Sequence, residues 1–479
     1  MTIKILRTEF ELENNIFELK KLIVTESAED SGALVSLGEL LENLEDTTYY
    51  VDNLNLFYVY LIKFLTDNKI EFEFSYKAGV CSNVKVQIRK TKFLFVNFTS
   101  KFGVEFSDDS KENWLLVDYA KKHHRTRISI GADAYNDFLL TIFTVKEDNA
   151  NHKLIRETFP IIEHDSLLET AKKNVAGFQM CKRGMFHNIF DYDISSSYAS
   201  NILNDIPVGT PMYFDAIEDV PKTYFKVIKF AYYNCKLKPN GIDFIKTGAI
   251  GTHVLTERLF EQFKANYNAN IKIQKICAFK TRKSIFKKFI QNTIIHGKMT
   301  EKNPRIAAYN KILGNAVIGY LGRNTKTTRN LAKKTPNGLV FEEYEEDIEP
   351  IYLPAYLCCL DHAKSKFIRT LRPFYKTIIY ANTDGFMSTE PIDLSVLNLQ
   401  NTNKVIGNFR QCNEFETVFI ASVNGYAGRT RDGKIKDCVS GMSLSEQISP
   451  EQLSSKQFEY YVNEKTNDGR MSLRTVGTG

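Results

Sequence analysis

The segment KTIIYANTDGFMS, residues 376–388, constrains this chain more than any other stretch. Two runs rich in strand-forming residues flank Asn382-Thr383-Asp384-Gly385, and Asp-Gly is hairpin chemistry because both residues tolerate a left-handed backbone. The segment predicts strand, tight turn, strand, with the Asp384 carboxylate at the turn. An acid in a surface turn is ordinary by itself. It gains meaning if a second carboxylate lies on a neighbouring strand. FDYDISSSYAS, residues 190–200, supplies the candidate: a strand-like run carrying Asp193, 191 positions upstream, which is no obstacle if both strands join one sheet.

The chain has 479 residues, 43% of them hydrophobic and 25% charged, enough for two to four structural units with sizeable cores. Its net charge of +6 is mild, but the distribution is not. Residues 1–60 carry 12 acids against 4 bases, whereas residues 271–340 carry 16 Lys or Arg against the single acid Glu301, a net of +15. Such a stretch predicts a track for a phosphate backbone, running through Lys326, Arg329 and Lys333. Eight scattered cysteines form no C-x-x-C pair and the histidines fall at no ligand spacing, so a zinc site is not expected and reduced thiols in a cytoplasm are. The first residues lack an apolar signal core, and no run of about 18 apolar residues occurs, so neither export nor a membrane span is expected.

Residues 48–65 read as a strand turning into a helix, and residues 90–107 alternate like paired strands. Residues 285–322 have helical spacing, with Pro304 at a break or a first turn. The second half of that stretch, RIAAYNKILGNAVIGYLG, places Arg305, Lys311 and Asn315 within reach of one face. Arg431-Asp432-Gly433-Lys434 is a further turn between short strands.

Two carboxylates brought together by strand pairing, with cations on a helix, are what phosphoryl transfer from a nucleoside triphosphate needs. Divalent cations bridged by the carboxylates activate the attacking hydroxyl and stabilise the leaving pyrophosphate, and the helix cations hold the triphosphate. The three segments, in this order, resemble the polymerase motifs of family B DNA polymerases, and most of all the protein-primed branch of small tailed phages and linear plasmids. Asp193-Ile194-Ser195-Ser196-Ser197-Tyr198 resembles the first motif. The resemblance implies metal binding by Asp193 and the Ile194 carbonyl, and exclusion of a 2′-hydroxyl by Tyr198. Lys311-Ile312-Leu313-Gly314-Asn315 resembles the fingers motif, with Ala316 and Ile318 where the family has Ser and Tyr. Lys298 matches a phosphate-binding fingers lysine, and Arg305 joins Lys311 and Asn315 among the expected nucleotide contacts. Tyr380-Ala381-Asn382-Thr383-Asp384-Gly385 resembles the third motif, keeping the main metal ligand as Asp384 but carrying Asn382 and Gly385 for Asp and Ser. Asp193 and Asp384 are thus the expected catalytic pair, with Mg²⁺, or Mn²⁺ in its place, as cofactor.

The resemblance extends outward. Lys182-Arg183-Gly184 resembles a template-gripping element, and Asn424-Gly425-Tyr426 a primer-holding Lys-x-Tyr element whose Lys is replaced. Arg183, Gly184, Asn382, Gly385, Asn424 and Tyr426 are the expected DNA contacts. At the front, the family has a 3′–5′ exonuclease. Glu9 and Glu11 stand for its first acids and Asp137 for its last, but Phe57 occupies a metal-binding Asp position, which implies lost proofreading. The implied fold is α+β, a right-hand polymerase behind a degenerate RNase H-like exonuclease domain. The implied organisation is 1–165 exonuclease-like, 166–207 palm, 208–265 a first branch-specific insertion and 266–322 palm and fingers. A second insertion at 323–350, palm again at 351–400 and a thumb at 401–479 follow. The implied partners are DNA template and primer, deoxynucleoside triphosphates and a terminal priming protein. Asn382, Ile318 and Asn424 also fit a polymerase-like DNA-binding protein that no longer synthesises, or an untemplated nucleotidyltransferase. The intact Asp193, Tyr198, Lys311 and Asp384 favour synthesis.

Overall fold

Strand-forming sequence dominates the front of the chain, and in the computed structural model it folds into one mixed sheet. The structure describes residues 2–142, 155–397 and 405–454, apart from breaks at 14–15, 43–44, 78–79, 126, 163–164, 284, 325, 337, 349–350 and 440–447. These residues fall into two units, Met1–Thr144 with Lys288–Pro350, and Val145–Lys287 with Ile351–Gly479.

In the first unit, β1 (Thr2–Glu13), β4 (Thr47–Val51) and β7 (Thr91–Asn97) run parallel. Around them lie β2 (Ile16–Thr25), β3 (Ala33–Leu34), β5 (Phe72–Lys77) and β6 (Val80–Ile88), all antiparallel to their neighbours. Two late strands, β14 (Lys326–Thr335) and β15 (Gly338–Asp347), form a hairpin whose first strand pairs with β5. The full order is β15-β14-β5-β6-β7-β4-β1-β2-β3. Helix α1 (Leu54–Asp67) starts at the Asn53 cap, whose side chain accepts from the Leu56 amide at 3.2 Å. Its Leu54, Phe57, Leu61 and Leu65, one helical face, are buried in a core with Leu6, Val51, Val84, Phe93 and Phe95.

The expectation of paired strands over 90–107 holds only for its first half. After β7, Phe98–Phe102 is a short helix, α2, capped by the Asn97 side chain and closed by Gly103 in left-handed conformation at φ 65°. Alternation misled because Phe98 and Phe102, four apart, both face the core. Gly103 is required for a second reason: a Cβ there would sit 2.4 Å from Ile312 Cδ1. Ile312 belongs to helix α5 (Pro304–Leu321), which begins as expected with Pro304 in its first turn, capped by Asn303. The preceding Gln291–Met299 is a π-helix, which the helical spacing did not distinguish.

Helices α3 (Ser110–Lys122) and α4 (Ile130–Ile142) join α5 through a buried polar clasp. Arg125 donates to Asp137 at 2.7 Å and to Asn310 Oδ1 at 3.1 Å, and its guanidinium lies over the rings of Tyr119 and Tyr309. Asn310 in turn donates to Tyr119 Oη and the Gly297 carbonyl. Beside it, the fully buried Lys101 ammonium pairs with Asp133 and donates to the Arg127 and Arg125 carbonyls. In the basic segment 121–125 the first four residues are exposed and Arg125 is buried.

Strand register pairs the β14 part of the basic track with acids. Lys326 pairs with Glu345 at 3.1 Å, Arg329 with Glu346 at 2.8 Å and Glu73 at 3.3 Å, and Lys333 with Glu342 at 2.8 Å. The acids of β15 begin two residues beyond position 340, and the hairpin folds them across the basic strand. These cations are partly neutralised, which weakens them as phosphate contacts.

In the second unit, a seven-stranded sheet has the order β20-β19-β18-β9-β17-β16-β8. Its strands are β8 (Gln179–Cys181), β9 (Gly184–Ile194), β16 (Ile378–Asn382), β17 (Gly385–Ser388), β18 (Phe409–Ser422), β19 (Gly425–Thr430) and β20 (Ile435–Val439). The turns expected at 382–385 and 431–434 are both present. A separate four-stranded sheet comprises β10 (Ile206–Phe214), β11 (Phe225–Leu237), β12 (Gly251–Thr256) and β13 (Tyr267–Arg282). Helix α6 (Leu353–Leu371) buries Cys358 and Cys359 as packing thiols. No helix among the described residues is long and apolar enough to cross a membrane.

Candidate active site

The centre of the seven-stranded sheet brings the two expected carboxylates to adjoining strand ends. β9 lies between β17 and β18, with Asp193 in register with Gly385 on one side and Arg410 on the other. The Ile194 amide donates to the Asp384 carbonyl at 3.0 Å, which fixes the tip of the β16–β17 hairpin against the end of β9. Thr383 takes the left-handed conformation that the turn demands, at φ 62°. Gly385 matters for space as well: a side chain there would approach the Tyr192 carbonyl at 3.4 Å and Asp193 Oδ1 at 3.9 Å.

Just beyond β9 the chain turns sharply. Ser196 is left-handed at φ 49°, and Ser197–Asn201 begins a short helix that carries Tyr198. Ser195 is pinned on both sides, its amide donating to Asn408 and its carbonyl accepting from Gly407. The Tyr198 phenol is pushed up to about 12 by burial and by the nearby Asp384 charge, so it stays neutral beside the acid.

Asn382 does not face the carboxylates as a ligand. Its amide donates to the Val423 carbonyl at 3.1 Å, and its oxygen accepts from Gln179 and Thr383. Those bonds tie the hairpin to β8 and to the β18–β19 turn. Tyr426, half-buried, packs edge-on against Tyr380, and Asn424 is exposed at the turn. Gly184 opens β9 at φ 146°, next to the exposed Arg183.

Three residues here escaped the sequence reading. Arg410 donates to Asp193 Oδ2 at 3.2 Å. Asn413 donates to Asp191 at 2.6 Å. Asp191 is pushed up to about 6, chiefly by burial, with the charge of Asp193 adding to the effect. Period-two spacing was a usable signal for Asp191, since residues 191 and 193 share a strand face. Arg410 had no local signal, because only strand register joins it to Asp193.

Among the described residues no three His, Cys, Asp or Glu side chains gather as a metal cluster. A cation held at Asp193 and Asp384 would have two carboxylates and the Ile194 carbonyl, with water and phosphate oxygens for the rest. That all-oxygen donor set fits Mg²⁺, which is usually held by one or two carboxylates plus substrate phosphates.

The first unit carries the other expected residues. Lys311 is exposed on α5, Lys298 is half-buried on the π-helix, and the Asn315 amide oxygen is buried without a hydrogen-bond partner. Arg305, expected on a triphosphate, is 17% exposed and tied down within its own unit. It donates to the Glu105 carbonyl at 2.9 Å, Asn113 Oδ1 at 3.0 Å and Glu112 at 3.4 Å. The acids expected for a nuclease do not gather. Glu9 pairs with Lys21 at 2.9 Å, Glu11 with Lys20 at 3.6 Å and Asp137 with Arg125 at 2.7 Å. Phe57 is wholly buried in the core.

Residues 119–390 match the family model of DNA polymerase type B, organellar and viral, more than half of the chain. The chain belongs to that family. A DNA polymerase of Streptococcus phage Cp-1 is 23% identical to this type B chain over 260 residues, which is 48% of this chain and 45% of the phage enzyme. The alignment thus spans less than half of that relative. Among solved structures, phi29 DNA polymerase complexed with primer-template DNA and incoming nucleotide substrates superposes with a TM-score of 0.75. It is 17% identical and covers 95% of this chain and 94% of its own. Phi29 DNA polymerase complexed with single-stranded DNA gives 0.74, at 17% identity, covering 96% and 93%. The expected α+β fold of a right-hand polymerase is the fold of these structures.

Proposed function

We propose that this chain is a template-directed DNA polymerase in which Asp193 and Asp384 are the catalytic carboxylates. The observation that carries this reading is their meeting at adjoining ends of paired strands, with the Ile194 carbonyl between them in sequence and the Tyr198 phenol beside Asp384. Asp193, Asp384 and the Ile194 carbonyl would hold Mg²⁺ or Mn²⁺. Bound there, the cation supplies Lewis-acid stabilisation of the phosphoryl oxygens and activation of the attacking hydroxyl.

The chain's own residues account for the rest. Tyr198, neutral and held on a short helix, occupies the volume a ribose 2′-hydroxyl would need. Lys311 and Lys298 receive the triphosphate as point charges, and the unpartnered Asn315 oxygen awaits a donor. Arg305 is left out of this set, because its guanidinium braces α5. Asn382 and Gly385 shape the hairpin that meets the primer end, with Asn424 and Tyr426 behind it and Arg183-Gly184 on the template side. Priming by a hydroxyl of a terminal protein, absence of proofreading and action in the cytoplasm complete the proposal. The domain ranges inferred from the sequence are part of it. Support for lost proofreading comes from buried Phe57 and from Glu9 and Asp137, each paired with a protein cation.

The test is primer extension with Mg²⁺ or Mn²⁺, with and without template. Incorporation that follows the template supports the proposal. Equal incorporation without template would indicate an untemplated transferase, and DNA binding without incorporation a non-synthesising relative. Transfer of the first nucleotide onto a protein hydroxyl, in the absence of a nucleic-acid primer, tests the priming mode.

A further inference from the structure

We infer that Arg410 is a built-in counter-cation of the carboxylate site, one that a divalent ion must displace from Asp193, so that this residue sets the metal concentration at which the site fills. The inference rests on the proposed role of Asp193 and Asp384.

Three observations carry it. First, the contact is fixed by register: Arg410 on β18 lies directly across from Asp193 on β9, and its Nη2 donates to Oδ2 at 3.2 Å. Second, the other flank of Asp193 is occupied by Gly385, which has no side chain. The guanidinium therefore stands on one side of the carboxylate, and the side toward the hairpin is left open. Third, the surrounding charge is unusually low for a site that must hold divalent ions. Position 382 is an amide engaged with Val423, and Asp191 is tied to the Asn413 amide. A guanidinium beside one of the two carboxylates that would hold the ion is thus a large fraction of the local charge.

The pair is broken easily enough for exchange. Arg410 is 51% exposed and Asp193 32% exposed, so solvent screens the interaction and the arginine can move aside without exposing a buried group. A divalent ion at Asp193 would meet an adjacent positive charge, which disfavours its binding until the side chain swings away. Removing the guanidinium takes away both the competing hydrogen bond and the repulsion.

Binding of Mn²⁺ to the full-length protein, followed by electron paramagnetic resonance without DNA or nucleotide, reads this directly. Arg410→Gln should bind Mn²⁺ more tightly than the parent by roughly three- to tenfold. Arg410→Lys, which keeps the charge, should stay within about twofold of the parent. The Mg²⁺ concentration that half-saturates nucleotide incorporation should fall in Arg410→Gln by a similar factor. Unchanged or weaker Mn²⁺ binding in Arg410→Gln overturns the inference. So does equal tightening in Arg410→Lys, since charge would then not be the cause. Asp193→Asn separates this failure from a deeper one: if that variant binds Mn²⁺ like the parent, the metal site is elsewhere and the proposed catalytic pair falls with it.

Discussion

Two regions of this molecule hold acids at the ends or edges of sheets, and only one keeps them ready for chemistry. At the end of β9, Asp193 is one-third exposed, and its partner is a solvent-screened arginine that can leave. In the first unit the corresponding acids are closed off by the protein itself. Asp52, at the end of β4, accepts from both the Thr8 amide and hydroxyl, and Asp137 is locked under Arg125. Phe57, at the position proposed for a further carboxylate, is buried in the core. A carboxylate is catalytic when its lone pairs remain for a ligand, and structural when hydrogen-bond donors of the fold consume them. In the first unit the acids are of the second kind.

The comparison breaks most sharply at the palm acids. Asp193→Ala or Asp384→Ala should lower nucleotide incorporation by at least about a thousandfold, with DNA binding retained, because transition-state charge loses its stabilisation. Incorporation within tenfold of the parent in a single-turnover assay would remove these residues from the site.

On the nuclease-like side, Phe57→Asp should not rebuild trimming activity. It should destabilise the first unit by about 4 kcal/mol, since the ring is buried against Phe95, Leu61 and their neighbours. Denaturant unfolding measures the loss. Metal-dependent 3′ trimming by either protein would show that the acids are less closed off than their pairing indicates.

The Arg125 clasp sharpens the contrast next. Arg125→Met alone should cost about 3 kcal/mol by leaving the Asp137 carboxylate buried and unpaired, and adding Asp137→Leu should recover most of it. An equal loss in the single and double variants would mean that the pair is not what matters. Smallest is the effect at Asp191. A carboxyl group pushed up to about 6 in the fold is stabilising when protonated. Its contribution is complete below the unfolded value near pH 4 and is lost as pH rises through 6. Asp191→Asn should therefore exceed the parent in stability by about 1–2 kcal/mol at pH 7 and match it near pH 4. A constant difference across that range would assign the effect to packing.

What was legible in the sequence was whatever a few adjacent residues decide. Asn-Thr-Asp-Gly specified its hairpin because turn chemistry is local, and Pro304 with Asn303 specified a helix start for the same reason. The carboxylate pair was legible through motif resemblance, and strand pairing then joined positions 191 residues apart. Phe98–Phe102 was misread because two aromatics on one helical turn mimic alternation, while the deciding signals were the flanking Asn97 and Gly103. The basic track was overcounted at its far end: β15 places Glu342, Glu345 and Glu346 across from β14, and composition over a window that stops at 340 has no means of counting them. The partners of Arg305 and Arg410 were illegible alike, since a helix wheel or a strand pattern gives a side chain's direction and not its partner.

The β14–β15 hairpin has a consequence in time. β14 pairs with β5 through Asn330 and Phe74, residues 256 positions apart. During synthesis the β5 edge is complete long before its partner exists. At roughly 5–20 residues per second the interval is on the order of 13–50 seconds. Throughout it, Phe72 and Phe74 stand on an open strand edge, the kind of edge that invites pairing with other chains. The late hairpin closes that edge with its own backbone and seats Ala332 in the core, so an intact first unit appears only after most of the chain has been made. A fragment ending before residue 326 should therefore aggregate where the full chain does not, a behaviour written into the order of the strands rather than into any one of them.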